Sequence, residues 1–179
     1  YLHALRIFED KSDNKNIAMA YNSIGNLYHY QQNMDIALKY YLKALEIYKK
    51  DVDYKIGLNT CLNNIAACYF NQGRFEKALD YFIQSLKNFE ATNNRAGIAM
   101  CLSNIASLYI DQGKYNKAKE PLLKSLEINK ELGLKADIAI NLHNLGNLSA
   151  KLKRYKMAET YYLNSLKLCE QTGYIHLVQ

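Results

Sequence analysis

Asparagine recurs along this chain as Asn22, Asn26, Asn63, Asn64, Asn104, Asn144 and Asn147, in stretches whose other residues favour helix. Asn is a mediocre helix former because its side chain competes for nearby backbone groups, so its repeated use inside helices needs a reason beyond propensity. A carboxamide donates and accepts at once, which is what an extended peptide backbone requires for sequence-tolerant docking. The same amides could instead bond neighbouring helices and hold their pitch. The sequence leaves both readings open.

Other reactive side chains form no constellation. Cys61, Cys68, Cys101 and Cys169 make no CxxC pair and no zinc-like Cys/His spacing, and are read as reduced thiols that pack as small hydrophobes. His29 and His143 fall three repeat units apart, too distant along a stack of helices about 10 Å apart to share a metal, and are read as polar groove residues; His3 and His176 sit near the ends. There is no nucleophile with an oriented base, no carboxylate pair and no glycine-rich phosphate loop. Neither catalysis nor a cofactor is expected.

What positions the asparagines is an internal repeat. Leu5, Leu45, Leu86, Leu126 and Leu166 are spaced by 40, 41, 40 and 40 residues. Twenty-one residues before each of the last four stands a branched aliphatic, Ile24, Ile65, Ile105 or Leu145, followed by Gly25, Ala66, Ala106 or Gly146. Tyr28, Tyr69 and Tyr109 come next, with Ser149 breaking the column. A second small column is Ala37, Ala78, Ala118 and Ala158, then a bulky one at Tyr41, Phe82, Leu122 and Tyr162, then Ala44, Ser85, Ser125 and Ser165.

Offsets of three, four and seven are helical, so each unit reads as two amphipathic helices around a turn at YQQN, NQGR, DQGK or KLKR. The small columns mark crossings, since helices packed about 8–10 Å apart leave no room there for a large side chain. Gly73 and Gly113 stand where a left-handed cap is favoured. Gln32 and Lys153 hold the equivalent places, and those caps should be less relaxed. Pro121, in the early part of a second helix, removes one backbone donor and should bend that helix slightly; no chemistry is assigned to it.

These columns resemble the tetratricopeptide repeat, and the resemblance covers nearly the whole chain. Tyr21, Leu62, Leu102 and Leu142 stand in place of the family's early tryptophan, and Lys49, Glu90, Lys130 and Glu170 in place of its late proline. The period exceeds the usual length of about 34 residues. This longer form is similar to the repeats of kinesin light chains, of Leu-Gly-Asn spindle-orientation adaptors and of bacterial peptide-pheromone regulators. The resemblance implies an all-α solenoid of stacked antiparallel helix pairs forming a right-handed superhelix. The units would be a second helix at 1–10, repeats at 16–50, 55–91, 95–131 and 135–170, and the start of another at 171–179.

It also implies that the first helix of each unit lines a concave groove. Removing the core columns leaves Asn22, Asn26 and His29 in the first unit, Asn63, Asn64 and Phe70 in the second, Ser103, Asn104, Ser107 and Ile110 in the third, and His143, Asn144 and Asn147 in the fourth. Met19, Thr60, Met100 and Ile140 fall on the same side. Asn64, Asn104 and Asn144 match the family's peptide-gripping asparagine, whereas Ser23 departs from it.

The expected function is therefore a non-enzymatic scaffold that binds a protein or peptide segment, as a sensor or interaction module of a larger bacterial signalling protein. The alternative is a structural or oligomerisation spacer beside a kinase or DNA-binding domain. A net charge of +6 is spread among acids, so nucleic acid is not the expected partner; binding through Lys151, Lys153, Arg154 and Lys156 would show steep salt dependence. No apolar run reaches membrane-spanning length, and a soluble, cytoplasmic chain without a small-molecule substrate is expected. Both ends fall mid-pattern, as in a fragment of a longer array, and self-association through them is expected.

Overall fold

The computed structural model describes residues 13–50 and 55–173, and among them the chain is entirely helical. The expected helix at 1–10 lies outside the described residues, as do residues 174–179 of the further repeat expected at 171–179, whose first residues instead complete the last helix and its cap at Gly173. Eight helices follow one another: α1 (Asn14–Tyr30), α2 (Met34–Tyr48), α3 (Lys55–Asn71), α4 (Phe75–Ala91), α5 (Arg95–Asp111), α6 (Tyr115–Leu132), α7 (Lys135–Lys151) and α8 (Tyr155–Thr172). They form sequential antiparallel pairs in two compact units, residues 1–88 and 89–179. In the first unit α2 packs on both α1 and α3, and α1 also touches α3. In the second, α6 packs on α5 and α7, α7 pairs with α8, and α5 touches α7.

The turns show why the pairs form where they do. Each helix-ending turn carries a left-handed residue at one repeat position: Gln32 (φ 60°), Gly73 (φ 71°), Gly113 (φ 71°) and Lys153 (φ 60°). The following amide reaches back five residues, from Asn33 to the Tyr28 carbonyl, Arg74 to Tyr69, Lys114 to Tyr109 and Arg154 to Ser149, at 2.8–2.9 Å. This closes otherwise orphaned carbonyls in the Schellman manner. Between repeats, Asn93 and Gly133 do the same, and Gly173 at the end of the last helix also has positive φ. Helix starts are capped by the side chains of Asp13, Asn33 and Asn94, which accept from Asn16, Ile36 and Gly97 amides.

Packing follows the small columns. Ala37, Ala78, Ala118, Ala44, Ser85, Ser125 and Ser165 have no exposed surface, and Ala158 almost none. In the second unit, Ala106, Ile110, Ala118, Leu122, Leu126, Leu145 and Leu148 form one apolar cluster flanked by Tyr109, Leu142 and Tyr161. Where the column carries serine, the buried hydroxyl finds a partner: Ser125 Oγ donates to the Ala99 carbonyl at 2.6 Å and Ser165 Oγ to Ala139 at 2.7 Å. Both bonds tie a second helix to the first helix of its own repeat.

A positive φ costs an ordinary L-residue about 1 kcal/mol that glycine does not incur. Gln32→Gly and Lys153→Gly should each raise the unfolding free energy by about 1 kcal/mol in denaturant melts. Gly73→Ala, where no atom stands near a new Cβ, should lower it by a similar amount through backbone strain alone.

Candidate functional site

The asparagines divide by what they touch. In the first unit, Asn22 and Asn26 from α1 meet Asn64 from α3: Asn64 Nδ2 donates to Asn22 Oδ1 at 3.2 Å and to Asn26 Oδ1 at 3.1 Å. Asn26 Oδ1 also accepts the Tyr41 hydroxyl at 2.7 Å. All three amides are half-buried. His29 Nε2 lies 3.2 Å from Asn71 Nδ2 at the far end of the same helix pair. Asn63 turns toward its own hairpin instead, donating to Ser85 Oγ at 2.8 Å and to the Asn59 carbonyl. Phe70 packs edge-on against Phe75, with ring centroids 5.8 Å apart.

The second unit repeats part of this arrangement. Asn144 Nδ2 from α7 donates to Ser103 Oγ from α5 at 3.4 Å, and the Tyr162 hydroxyl donates to Asn147 Oδ1 at 2.7 Å. The His143 ring lies 5.4 Å from that of Tyr162. Asn104 and Ser107 are half-buried and make no side-chain hydrogen bond among the described residues. Two expectations need correction. Ser103 and Ile110 are buried, at 8% and 6% exposure, and offer no surface to a ligand. Ile110 belongs to the apolar cluster of its unit, and Ser103 lies at the contact between successive first helices.

The structure also reveals an interlock that the groove reading missed. A Cβ on Gly25 would stand 2.5 Å from the Tyr41 ring, and one on Gly146 would stand 2.5 Å from Tyr162. Glycine thus admits a tyrosine, and the next residue, Asn26 or Asn147, receives its hydroxyl. Where alanine replaces glycine, at 66 and 106, the facing residue is Phe82 or Leu122 and the next is Ala67 or Ser107. The signal was present in the sequence as three columns that change together: Gly with Tyr and Asn, Ala without them.

Beside Asn22 lies a hollow of about 400 Å³ between α1, α2 and α3, lined by Met19, Ser23, Tyr48, Ile56 and Thr60 with Lys15 at its edge. Met19 is 50% and Ile56 84% exposed, so the hollow is open and largely apolar at its mouth. Burial pushes the Tyr48 phenol up to about 12 and keeps it a neutral donor. The Cys61 thiol is pushed up to about 12 and that of Cys68 to about 11, both by burial. Cys61 Sγ donates to the Tyr41 carbonyl at 2.9 Å, tying α3 to the preceding repeat.

Models of the Tetratricopeptide repeat match residues 1–50 and 58–131, and a second such model matches 142–172. The chain belongs to the tetratricopeptide repeat family. Over 79 residues it is 34% identical to the response regulator aspartate phosphatase E of Bacillus subtilis (strain 168), covering 44% of this chain and 20% of that protein. The crystal structure of aspartyl phosphate phosphatase F from Bacillus subtilis superposes with a TM-score of 0.84 at 19% identity, over 92% of this chain and 43% of that one. The apo form of RapI gives 0.83 at 24% identity, over 96% and 64%. At these identities the structural likeness concerns the fold, and this tetratricopeptide repeat chain spans a fifth of the curated relative.

Two measurements check this geometry. Tyr41→Phe and Tyr162→Phe should each lower stability by about 1 kcal/mol, the first by removing one of the two donors to Asn26 Oδ1 and the second by leaving Asn147 Oδ1 without its tyrosine donor. The buried thiols and phenols keep their protons in the folded chain at pH values where the unfolded chain loses them. Their stabilising contribution is complete below pH 9 and falls as pH rises toward 12, so the melting temperature should drop steadily over that interval.

Proposed function

We propose that this chain is a non-catalytic scaffold that binds a peptide or protein segment along its asparagine-bearing first helices. Tetratricopeptide repeats typically bind proteins or peptides. The observation that carries the reading is unused amide capacity at half-exposed positions. The Asn104 side chain has no hydrogen-bond partner among the described residues, and that of Asn144 makes only one long bond, to Ser103. In the first unit the Nδ2 groups of Asn22 and Asn26 remain available while their oxygens hold the network. Such groups can meet the carbonyls and amides of an extended main chain without reading its sequence.

Within the first unit, the hollow beside Asn22 offers a place between Met19, Tyr48 and Ile56 for one apolar side chain of a segment held by Asn22 and Asn26. Lys15 at its edge favours a carboxylate nearby. The likeness to a response regulator aspartate phosphatase supports placement in a bacterial signalling protein, as a sensing or interaction module. No described group of three or more His, Cys, Asp or Glu residues could hold a metal, and no described helix is long and apolar enough to cross a membrane.

A specific pair of observations favours a second role for some of the amides. Asn26 and Asn147 are engaged by tyrosine hydroxyls, so they belong to the hairpin interior as much as to the surface. The test therefore uses Asn104 and Asn144. Linear peptides selected from a random displayed library should bind the wild-type chain by fluorescence anisotropy. The Asn104→Ala/Asn144→Ala variant should bind them at least tenfold more weakly, with its melting temperature within about 2 °C of wild type. Unchanged affinity would overturn the docking role, and a large fall in melting temperature would show these amides to be structural.

A further inference from the structure

A second site emerges from comparing the repeats with one another. In the first repeat Tyr28 of α1 stacks on Tyr40 of α2, with centroids 5.7 Å apart and planes 3° from parallel. In the second, Tyr69 of α3 stacks on Tyr81 of α4 at 5.6 Å. The third keeps the first member, Tyr109 of α5, but Pro121 of α6 stands where Tyr40 and Tyr81 do. A hollow of about 460 Å³ opens there, lined by Leu102, Tyr109, Pro121, Lys117, Glu120 and Lys124.

The cations around the hollow point to its occupant. In the first repeat Lys43 Nζ sits 5.2 Å from the Tyr21 ring centroid and 5.8 Å from that of Tyr40. Lys124 is the equivalent residue of the third repeat, where Leu102 replaces Tyr21 and Pro121 replaces Tyr40, so both rings are gone. In the second repeat Lys77 Nζ sits 5.5 Å from the Tyr69 centroid, and Lys117 is its equivalent. The third repeat thus retains one ring and two lysines of an aromatic stack and lacks the other ring. Pro121 has no N–H, so the Lys117 carbonyl four residues earlier also loses its helical donor beside the hollow.

We propose that this hollow is a binding site for an aromatic side chain of a partner protein, seated against Tyr109 and Pro121 beneath Lys117 and Lys124. A ring placed there restores the stack formed internally by Tyr40 and Tyr81, and it lies within cation–π reach of both ammonium groups. Two lysines against Glu120 leave the rim positive, so the ring belongs to a segment with acidic neighbours. Tyr109 is five residues from Asn104, about 140° around α5 at 3.6 residues per turn, so this site is distinct from the asparagine face.

The test is an NMR titration of the full chain with an acetylated, amidated tripeptide of one tyrosine between two glutamates. Saturable shifts are expected at the Leu102 methyls and the Tyr109 ring, and a tripeptide with leucine in the centre should bind at least fivefold more weakly. Pro121→Tyr installs the side chain found at this position in the other three repeats and should fold normally, yet weaken tripeptide binding at least tenfold. Pro121→Ala, which leaves the space open, should keep binding within twofold. The Asn104→Ala/Asn144→Ala variant should also keep it, which separates this site from the peptide-docking face. Absence of saturable shifts at Leu102 and Tyr109, equal binding by Pro121→Tyr, or equal losses in both Pro121 variants would overturn the proposal.

Discussion

Everything in this chain depends on how closely the two helices of a repeat approach at one small residue. At Gly25 and Gly146 the backbone comes near enough that a tyrosine ring occupies the space a Cβ would need. At Ala66 and Ala106 the extra methyl is matched by Phe82 and Leu122. Interiors are packed to crystal-like density, so the volume on one helix sets the volume permitted on the other. The same approach places Asn26 and Asn147 under the tyrosine hydroxyls, converting two surface-type residues into parts of the hairpin.

Within each unit, successive repeats are also joined by polar contacts. Asn64 bridges to Asn22 and Asn26, Cys61 to the Tyr41 carbonyl, buried Asn141 to Ser125, and Asn144 to Ser103. Polar bonds of this sort specify register, because each buried donor left unmatched carries a cost of about 1–3 kcal/mol. They also explain why amides recur along the first helices: one part of each carboxamide can hold a neighbour while the other stays available. Docking and structure are two uses of one side chain here, divided atom by atom.

The helix pairs were legible from the sequence because the repeat multiplies a weak signal. A single alanine means little, but Ala37, Ala78, Ala118 and Ala158 at equal intervals mark a crossing, and all four are buried. The strained caps at Gln32 and Lys153 followed from their place in the glycine column, and both have positive φ. The site was less legible. Helical spacing put Ser103 and Ile110 on the candidate face, but α5 contacts both its own partner α6 and the following first helix α7, so less of its circumference is free than a single-helix view suggests. The vacancy at Pro121 was unreadable until the Tyr28–Tyr40 and Tyr69–Tyr81 stacks showed what the position normally holds.

The most direct measurement of the central constraint is a double-mutant cycle at Gly25 and Tyr41, read by chemical denaturation. Gly25→Ala alone forces a methyl into the ring, and Tyr41→Leu alone empties the space; together they reproduce the Ala106 and Leu122 pairing of the third repeat. The account predicts that the double variant is more stable than the sum of the single losses requires, by at least about 1 kcal/mol. Additive losses would contradict it, since the two side chains would then not be competing for the same volume.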